Sequence, residues 1–152
     1  MDAPTSRAAL EAWAVVLDFE CKEESALELG AVAEAVSAGK NVWLDVEVHD
    51  VERARPLLCE LGLVGEEALE DALVSEPLTR IARFDDYIHL VVAGCQASTT
   101  SFDLSRANVF IGRHFVITLH RTAVPFLSQV RRHYRADFER YAQSLSFLMY
   151  EI

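Results

Sequence analysis

The sequence predicts an α/β domain in which helices flank a mixed, largely antiparallel β-sheet. Two observations predict this class. Runs rich in β-branched and aromatic residues alternate with segments of helical periodicity, and around Gly112 a short glycine turn joins two such runs, which is the pattern of a β-hairpin. The chain has 152 residues, 51% of them hydrophobic, which fits one domain with one core. We therefore predict a single domain over residues 1–152.

The first half of the chain alternates strands and helices. Residues 15–20 have the composition of a strand, and residues 25–38 place apolar side chains at helical spacing. A second strand is predicted at residues 41–46. Asp50 is placed to cap a helix that ends at Leu61. A further short helix is predicted over residues 66–74.

Proline and glycine punctuate these elements. Pro56 falls inside the predicted helix after Asp50, so we expect it to delay the start of that helix or to kink it. Gly39 and Gly62 follow the last residues of two helical patterns, where glycine ends helices.

The second half begins with strands. One is predicted at residues 87–93, followed by a polar connection over residues 94–101. The hairpin then comprises residues 107–111 and 114–120.

Helical patterns end the chain. Pro125 fits the first turn of a long helix, whose predicted apolar stripe is Phe126, Val130, Tyr134, Phe138 and Tyr141. A last helical pattern, residues 144–152, is apolar up to its final position, which indicates that the chain continues in a longer protein.

Charge is distributed unevenly and excludes one class of partner. Residues 1–76 carry 18 acidic and 5 basic side chains, whereas residues 77–152 carry 6 acidic and 9 basic ones, and the net charge is −10. An acidic first half disfavours nucleic acid, because phosphate binding requires a basic surface. It favours cations, although a solvated acidic face that maintains solubility accounts for the same numbers.

Targeting and cysteine patterns favour a reducing compartment. No run of about 18 apolar residues is present, so no membrane span is predicted in this chain, and the N-terminus lacks a signal-peptide pattern. Cys21, Cys59 and Cys95 show no zinc-ligand spacing. We expect reduced thiols that act as small core side chains.

No catalytic constellation is present, and we expect the chain not to be an enzyme. The phosphate-binding, dinucleotide-binding, hydrolase and zinc-protease motifs are absent. The five histidines do not cluster in sequence; His114 and His120 would lie at opposite ends of one strand. Asp85 and Asp86 point to opposite faces of an extended segment and are expected to end a loop.

The predicted helix at residues 66–74 carries the candidate metal ligands. Leu69 and Leu73 form its buried side, and its carboxylates form one face: Glu66, Glu67, Glu70 and Asp71. Such a face repels itself unless a cation is near, and carboxylate oxygens suit Mg²⁺ or Ca²⁺. A solvated helix face is the alternative.

The order of four short motifs resembles the cytosolic domain of CorA-type magnesium transporters. These motifs are Trp43-Leu44-Asp45, Leu61-Gly62-Leu63, Leu69-Glu70-Asp71-Ala72-Leu73 and Arg83-Phe84-Asp85-Asp86-Tyr87-Ile88. The hairpin around Gly112, the segment Val130-Arg131-Arg132 and the last eight residues are also similar to family elements. The resemblance covers residues 41–152.

Members of that family are homopentamers whose cytosolic domains hang on a long stalk helix leading to the pore. The resemblance therefore implies a regulatory domain at the cytoplasmic face of the cell membrane, truncated before the stalk and transmembrane helices. It implies that a divalent cation, Mg²⁺ first and Co²⁺ or Ni²⁺ as further candidates, binds between neighbouring subunits and favours the closed pore. Asp71 falls on the family's metal-binding aspartate, and Glu70 is the second candidate ligand. The remaining carboxylate would come from the stalk.

The sequence also departs from the family pattern. The usual His-Pro before the Leu-Glu-Asp motif and the Arg-Pro before the Tyr87 strand are not kept, and the Gly-Met-Asn pore signature is absent from these residues. Two alternatives therefore stay open. One is a ZntB-like zinc transporter domain, for which clustered histidine and cysteine ligands would be expected. The other is a stand-alone interaction module without a transport role.

Overall fold

The computed structural model describes residues 8–74, 78–97 and 99–152. These residues form one seven-stranded sheet with the strand order β2-β1-β3-β7-β6-β5-β4. The strands are β1 (Leu10–Asp18), β2 (Glu23–Leu27), β3 (Val42–Val48), β4 (Ile81–Arg83), β5 (Tyr87–Ala97), β6 (Phe102–Gly112) and β7 (Phe115–His120). β3 and β7 are parallel, and the other neighbouring strands are antiparallel. The predicted mixed, largely antiparallel sheet is confirmed.

Helices cover both faces of this sheet. They are α1 (Val32–Ser37), α2 (Val51–Glu60), α3 (Glu66–Leu73), α4 (Pro125–Arg140) and α5 (Leu148–Glu151). Side chains of α1, α2 and α3 share one apolar core with Leu44, Phe110 and Ile117 of the sheet. Side chains of α4 and α5 share a second core with Trp43 and Val116. The result is the predicted α/β/α sandwich.

The parallel pair β3 and β7 lies at the centre of the sandwich. Six of the seven residues of β3 and all six residues of β7 are buried, as expected for parallel strands that are covered on both faces. Odd-numbered residues of β3 face α4, and even-numbered ones face α2 and α3. This alternation assigns Trp43 and Asp45 to the α4 side.

Two predicted elements of the first half have different bounds or a different type. The first strand is longer and starts at Leu10. The helix predicted over residues 25–38 is wrong in its first part, because Glu23–Leu27 pairs with β1 as an edge strand. Local chemistry explains the turn between the strands: Asp18 accepts hydrogen bonds from two following backbone amides, and Lys22 adopts φ 58°. Side chain-to-backbone bonds of this kind favour a turn over a helix.

The polar connection predicted over residues 94–101 is wrong for residues 94–97, whereas residues 99–101 do connect two strands. β5 continues to Ala97 and β6 begins at Phe102, with the register Ala97↔Phe102. The hairpin around Gly112 is confirmed, since β6 ends at that glycine and β7 begins at Phe115. A Cβ atom at Gly112 would overlap the ring of Phe115, so glycine is required there.

The helix boundaries follow some of the predicted signals and not others. Asp50 caps α2 by accepting a hydrogen bond from the Arg53 amide. Pro56 does not delay the helix, which already begins at Val51 and contains the proline in its interior. The 144–152 pattern is a 3-10 turn followed by α5.

Two burial predictions need correction. Val130, Tyr134 and Phe138 are buried as expected, but Tyr141 is 72% exposed because α4 ends at Arg140. The cysteines are free thiols but not core side chains, since Cys21 and Cys95 are exposed and Cys59 is half-buried.

Candidate metal site and a buried ion-pair cluster

Helix α3 presents its carboxylates to solvent. One side of this helix is acidic and the opposite side is apolar, with Ala68, Leu69, Ala72 and Leu73 buried. Glu66, Glu67, Glu70 and Asp71 are exposed. We call these four residues the acidic face. The sequence pattern therefore predicted both sides of this helix correctly.

Arginines hold the two predicted metal ligands. Arg80, just before β4, places its Nη2 atom 2.6 Å from Asp71 Oδ2, and Arg55 of α2 places Nη1 3.1 Å from Glu70 Oε1. All four side chains are 39 to 61% exposed. Pairs with this exposure contribute about 0–1 kcal/mol each and are screened by salt. A cation in solution can therefore compete with either arginine at modest cost.

The acidic face does not form a complete metal site within the described parts of the chain. Among those residues, no group of three or more His, Cys, Asp or Glu side chains is arranged to hold one ion. Its carboxylate oxygens are nevertheless the ligand type that Mg²⁺ prefers, and Mg²⁺ commonly takes only one or two protein carboxylates and keeps several waters. The arrangement fits a site to which this chain contributes one or two ligands.

A buried histidine lies behind α3. The His89 Nε2 atom is 2.8 Å from Asn108 Oδ1, and the Asn108 amide donates to the Ala72 carbonyl of α3 at 3.0 Å. Burial lowers the pKa of His89, and the Arg80 charge adds to that effect, against the opposing Asn108 bond and Asp71 charge. His89 is therefore a neutral core side chain that supports the inner side of α3.

A second polar group is buried on the opposite side of the sheet, under α4. Asp45 Oδ1 accepts a hydrogen bond from Thr118 Oγ1 at 2.5 Å and lies 3.2 Å from His120 Nε2. Its Oδ2 atom accepts from Arg131 Nη1 of α4 at 3.1 Å. Asp45 and His120 are 5 and 6% exposed. We call Asp45, Thr118, His120 and Arg131 the buried cluster.

Aromatic rings enclose the buried cluster. The Arg131 guanidinium lies 4.4 Å from the ring centroid of Trp13, in cation–π geometry. Trp43 donates from Nε1 to Thr118 Oγ1 at 3.3 Å, and its ring packs edge-on against Trp13 and Tyr134. A cavity of about 260 Å³ opens beside the cluster and is also lined by Glu11 and Glu47. It lies at the carboxyl ends of the parallel strands, where α/β sheets commonly bind ligands.

The two ionisable partners shift each other's pKa. Burial by itself would raise the pKa of Asp45, but the bond to His120 and the charges of His120 and Arg131 hold it below its ordinary value. Burial by itself would lower the pKa of His120, but the bond and charge of Asp45, the Thr122 carbonyl and the Glu47 charge raise it above its ordinary value. Both shifts favour the ionised pair.

Comparison with known proteins identifies the family of the chain. The family model described as "CorA-like Mg2+ transporter protein" matches residues 38–152. The chain belongs to this family. No curated protein matches the sequence.

Several solved structures share the fold. The soluble domain of CorA from Methanocaldococcus jannaschii superposes with a TM-score of 0.69 at 13% identity, over 93% of this chain and 53% of that one. The ZntB cytoplasmic domain from Vibrio parahaemolyticus RIMD 2210633 gives 0.64 at 16% identity, over 92% of this chain and 54% of that one. The full-length CmaX protein gives 0.63 at 16% identity, over 91% of this chain and 42% of that one. The chain thus spans about half the length of these structures.

The structure of this CorA-like chain also bears on the predictions for the histidines and for Asp85 and Asp86. His114 contacts Asn41 and His120 contacts Asp45, so the structure does not bring these histidines together. Asp85 and Asp86 lie in the bend before β5, as predicted. No helix in the described parts of the chain is long and apolar enough to cross a membrane.

The sequence analysis did not predict the buried cluster. One signal was available, since Asp45 of the Trp-x-Asp motif is a charged residue between the apolar Leu44 and Val46 of a predicted strand. A charge in such a position requires partners from elsewhere in the chain.

Proposed function

We propose that this chain is the cytosolic regulatory domain of a divalent-cation transporter. The observation that carries the proposal is the CorA-like family match over residues 38–152 in a chain with the matching α/β/α fold. In the whole protein, the domain would lie at the cytoplasmic face of the membrane and assemble as part of a homo-oligomer, with a pentamer as the expected state. Transport itself is the work of membrane segments, and this domain has a regulatory role without enzymatic activity.

We place the regulatory cation at the acidic face, with Asp71 as the principal ligand and Glu70 as the second. The proposal is supported by the exposure of both carboxylates and by their exchangeable arginine partners. Mg²⁺ is the ion we expect, because the ligands are hard oxygen atoms and no histidine or cysteine of the described residues joins them in a metal-binding group. The remaining ligands would come from a neighbouring subunit.

Electrostatic repulsion between subunits explains why a cation at this site would favour the closed state. The acidic faces of crowded subunits repel one another, and a divalent cation bound between them relieves that repulsion. The assembled, closed arrangement therefore binds the cation more tightly than a separated arrangement does. Differential binding of this kind shifts the equilibrium toward the closed state when the cation is abundant.

Thermal unfolding, with and without millimolar Mg²⁺, tests the site in a chain extended through the stalk helix, which supplies the remaining carboxylate. We expect Mg²⁺ to raise the Tm of the wild-type chain and to have little effect on Asp71→Asn, because a ligand that binds the native state stabilises it. Glu139→Gln, an exposed substitution on α4, is the control and should respond like the wild type. An equal Mg²⁺ response in the wild type and Asp71→Asn would exclude Asp71 as a ligand.

A zinc-transporter domain is the second candidate. The ZntB cytoplasmic domain matches this chain with a TM-score of 0.64, close to the 0.69 of the CorA soluble domain. The same unfolding experiment with Zn²⁺ separates the two. Stabilisation by Zn²⁺ at concentrations where Mg²⁺ has no effect would favour the zinc role.

A further inference from the structure

Both ring nitrogens of His120 face hydrogen-bond acceptors. Nδ1 lies 2.7 Å from the backbone carbonyl of Thr122, and Nε2 lies 3.2 Å from Asp45 Oδ1. A neutral imidazole carries one N–H, so it can donate to only one of these oxygens. The ring is 6% exposed, which leaves little access for water to supply the missing donor. Only the doubly protonated imidazolium donates to both acceptors.

The donors around Asp45 favour the extra proton on His120. Trp43 Nε1 donates to Thr118 Oγ1 at 3.3 Å, which leaves the Thr118 hydroxyl proton to point at Asp45 Oδ1. Arg131 donates to Oδ2. Both carboxylate oxygens thus already face donors, and the Arg131 guanidinium at Oδ2 favours the ionised carboxylate. A proton shared between Oδ1 and Nε2 therefore resides on His120, which gives an ionised Asp45 and a charged His120.

The surrounding charges can accommodate this imidazolium. Ionisable side chains from every element packed around the ring face the cluster or its cavity: Asp45 and Glu47 of β3, Glu11 of β1 and Arg131 of α4. His49 contacts Glu11 at 3.1 Å and Glu47 at 3.6 Å. The three carboxylates outnumber the Arg131 guanidinium, so one further positive charge at His120 does not make the group net positive.

We propose that the buried cluster is a proton-sensing site, in which one proton bound by His120 holds Asp45 to β7 while Arg131 holds it to α4. We call this pair of contacts the latch. With the proton present, Asp45 is held from β7 by His120 and from α4 by Arg131. When the proton leaves, the ring must give up one of its two bonds, so that a bare nitrogen lone pair faces either the Asp45 carboxylate or the Thr122 carbonyl. The Arg131 bond is left as the charged contact between Asp45 and α4.

The pH range of the latch follows from the direction of the two pKa shifts. The pKa of His120 is raised above its ordinary 6.5, so the stability it contributes is fully present below pH 6.5 and is lost as the pH rises through the folded-state pKa. The pKa of Asp45 is lowered below its ordinary 3.8, so its contribution is present above pH 3.8 and is lost as the pH falls further. The latch is complete between these limits and weakens on the alkaline side.

Intrinsic fluorescence reports on the latch directly, because both tryptophans of the chain, Trp13 and Trp43, contact the buried cluster. We expect the wild-type emission to change with pH, with a midpoint above 6.5. His120→Gln keeps a side-chain donor but does not titrate, so this transition should disappear. His133→Gln, an exposed histidine of α4, is the matched control and should keep it. A transition with the same midpoint in His120→Gln would overturn the proposal.

Nitrogen-15 NMR of the wild-type imidazole rings provides a test that does not depend on a variant folding. At pH 6 we expect the two His120 nitrogens to carry a proton each, and one of them to lose it at alkaline pH. A His120 ring with one protonated nitrogen at pH 6 would contradict the proposal, whatever the fluorescence shows.

Discussion

The two faces of the sheet treat charge in opposite ways. On the α3 side, Asp71 and Glu70 are about half exposed and each pairs with an exposed arginine. On the α4 side, Asp45 is 5% exposed and is held by three donors. An exposed pair costs little to exchange, whereas a buried charge that loses a partner stays desolvated. The acidic face is therefore suited to exchange ligands, and the buried cluster is suited to hold the fold.

The largest effect is expected from Asp45→Asn. This variant leaves His120 and Arg131 without their carboxylate, so we expect the free energy of unfolding to fall by about 3–5 kcal/mol. Chemical denaturation measures the change. Asp103→Asn, an exposed substitution on β6, is the control and should change stability by less than about 0.5 kcal/mol. An effect for Asp45→Asn as small as that of the control would contradict the contrast between the two faces.

A much smaller effect on stability is expected from Arg80→Gln. The Asp71–Arg80 pair is exposed, so its loss should lower the free energy of unfolding by less than about 1 kcal/mol. The same variant removes the internal competitor for Asp71, so Mg²⁺ affinity should rise by up to about fivefold. Isothermal titration calorimetry checks the affinity.

Arg83→Gln, on exposed β4, removes the same charge without touching Asp71 and serves as the control for Arg80→Gln. Equal Mg²⁺ affinities in these two variants would show that Arg80 acts only through net charge.

The contrast between the two faces also explains why the sequence predicted the acidic face and did not predict the buried cluster. The acidic face was predictable because its residues lie within two turns of one helix, where spacing determines which side chains share a side. The buried cluster was not, because Asp45 meets Thr118, His120 and Arg131 across 73, 75 and 86 residues of sequence. The pairing of β3 with β7 brings Thr118 and His120 to Asp45, and the packing of α4 on the sheet brings Arg131.

The predictions of the fold divide in the same way, into elements with local signals and elements that depend on strand pairing. The Asp50 cap, the Gly112 hairpin and the β3 strand rest on local signals, and the structure confirms them. β2 and the outer part of the β5–β6 hairpin were missed because pairing with a neighbouring strand, and not local propensity, determines their state. Residues 25–27 satisfy a helical pattern in isolation but complete the sheet edge beside β1.

Paramagnetic broadening by Mn²⁺, used in place of Mg²⁺, is the most direct test that the acidic face is the cation site, because it reports where on the chain a divalent cation binds. We predict that the amide signals of Glu70, Asp71 and their neighbours in α3 broaden first, and that the effect is lost in Asp71→Asn. Signals around Asp45 and Glu47 should remain sharp at the same Mn²⁺ concentration. Broadening centred on the cavity beside Glu11 and Glu47, with α3 unaffected, would contradict the assignment of the acidic face as the cation site.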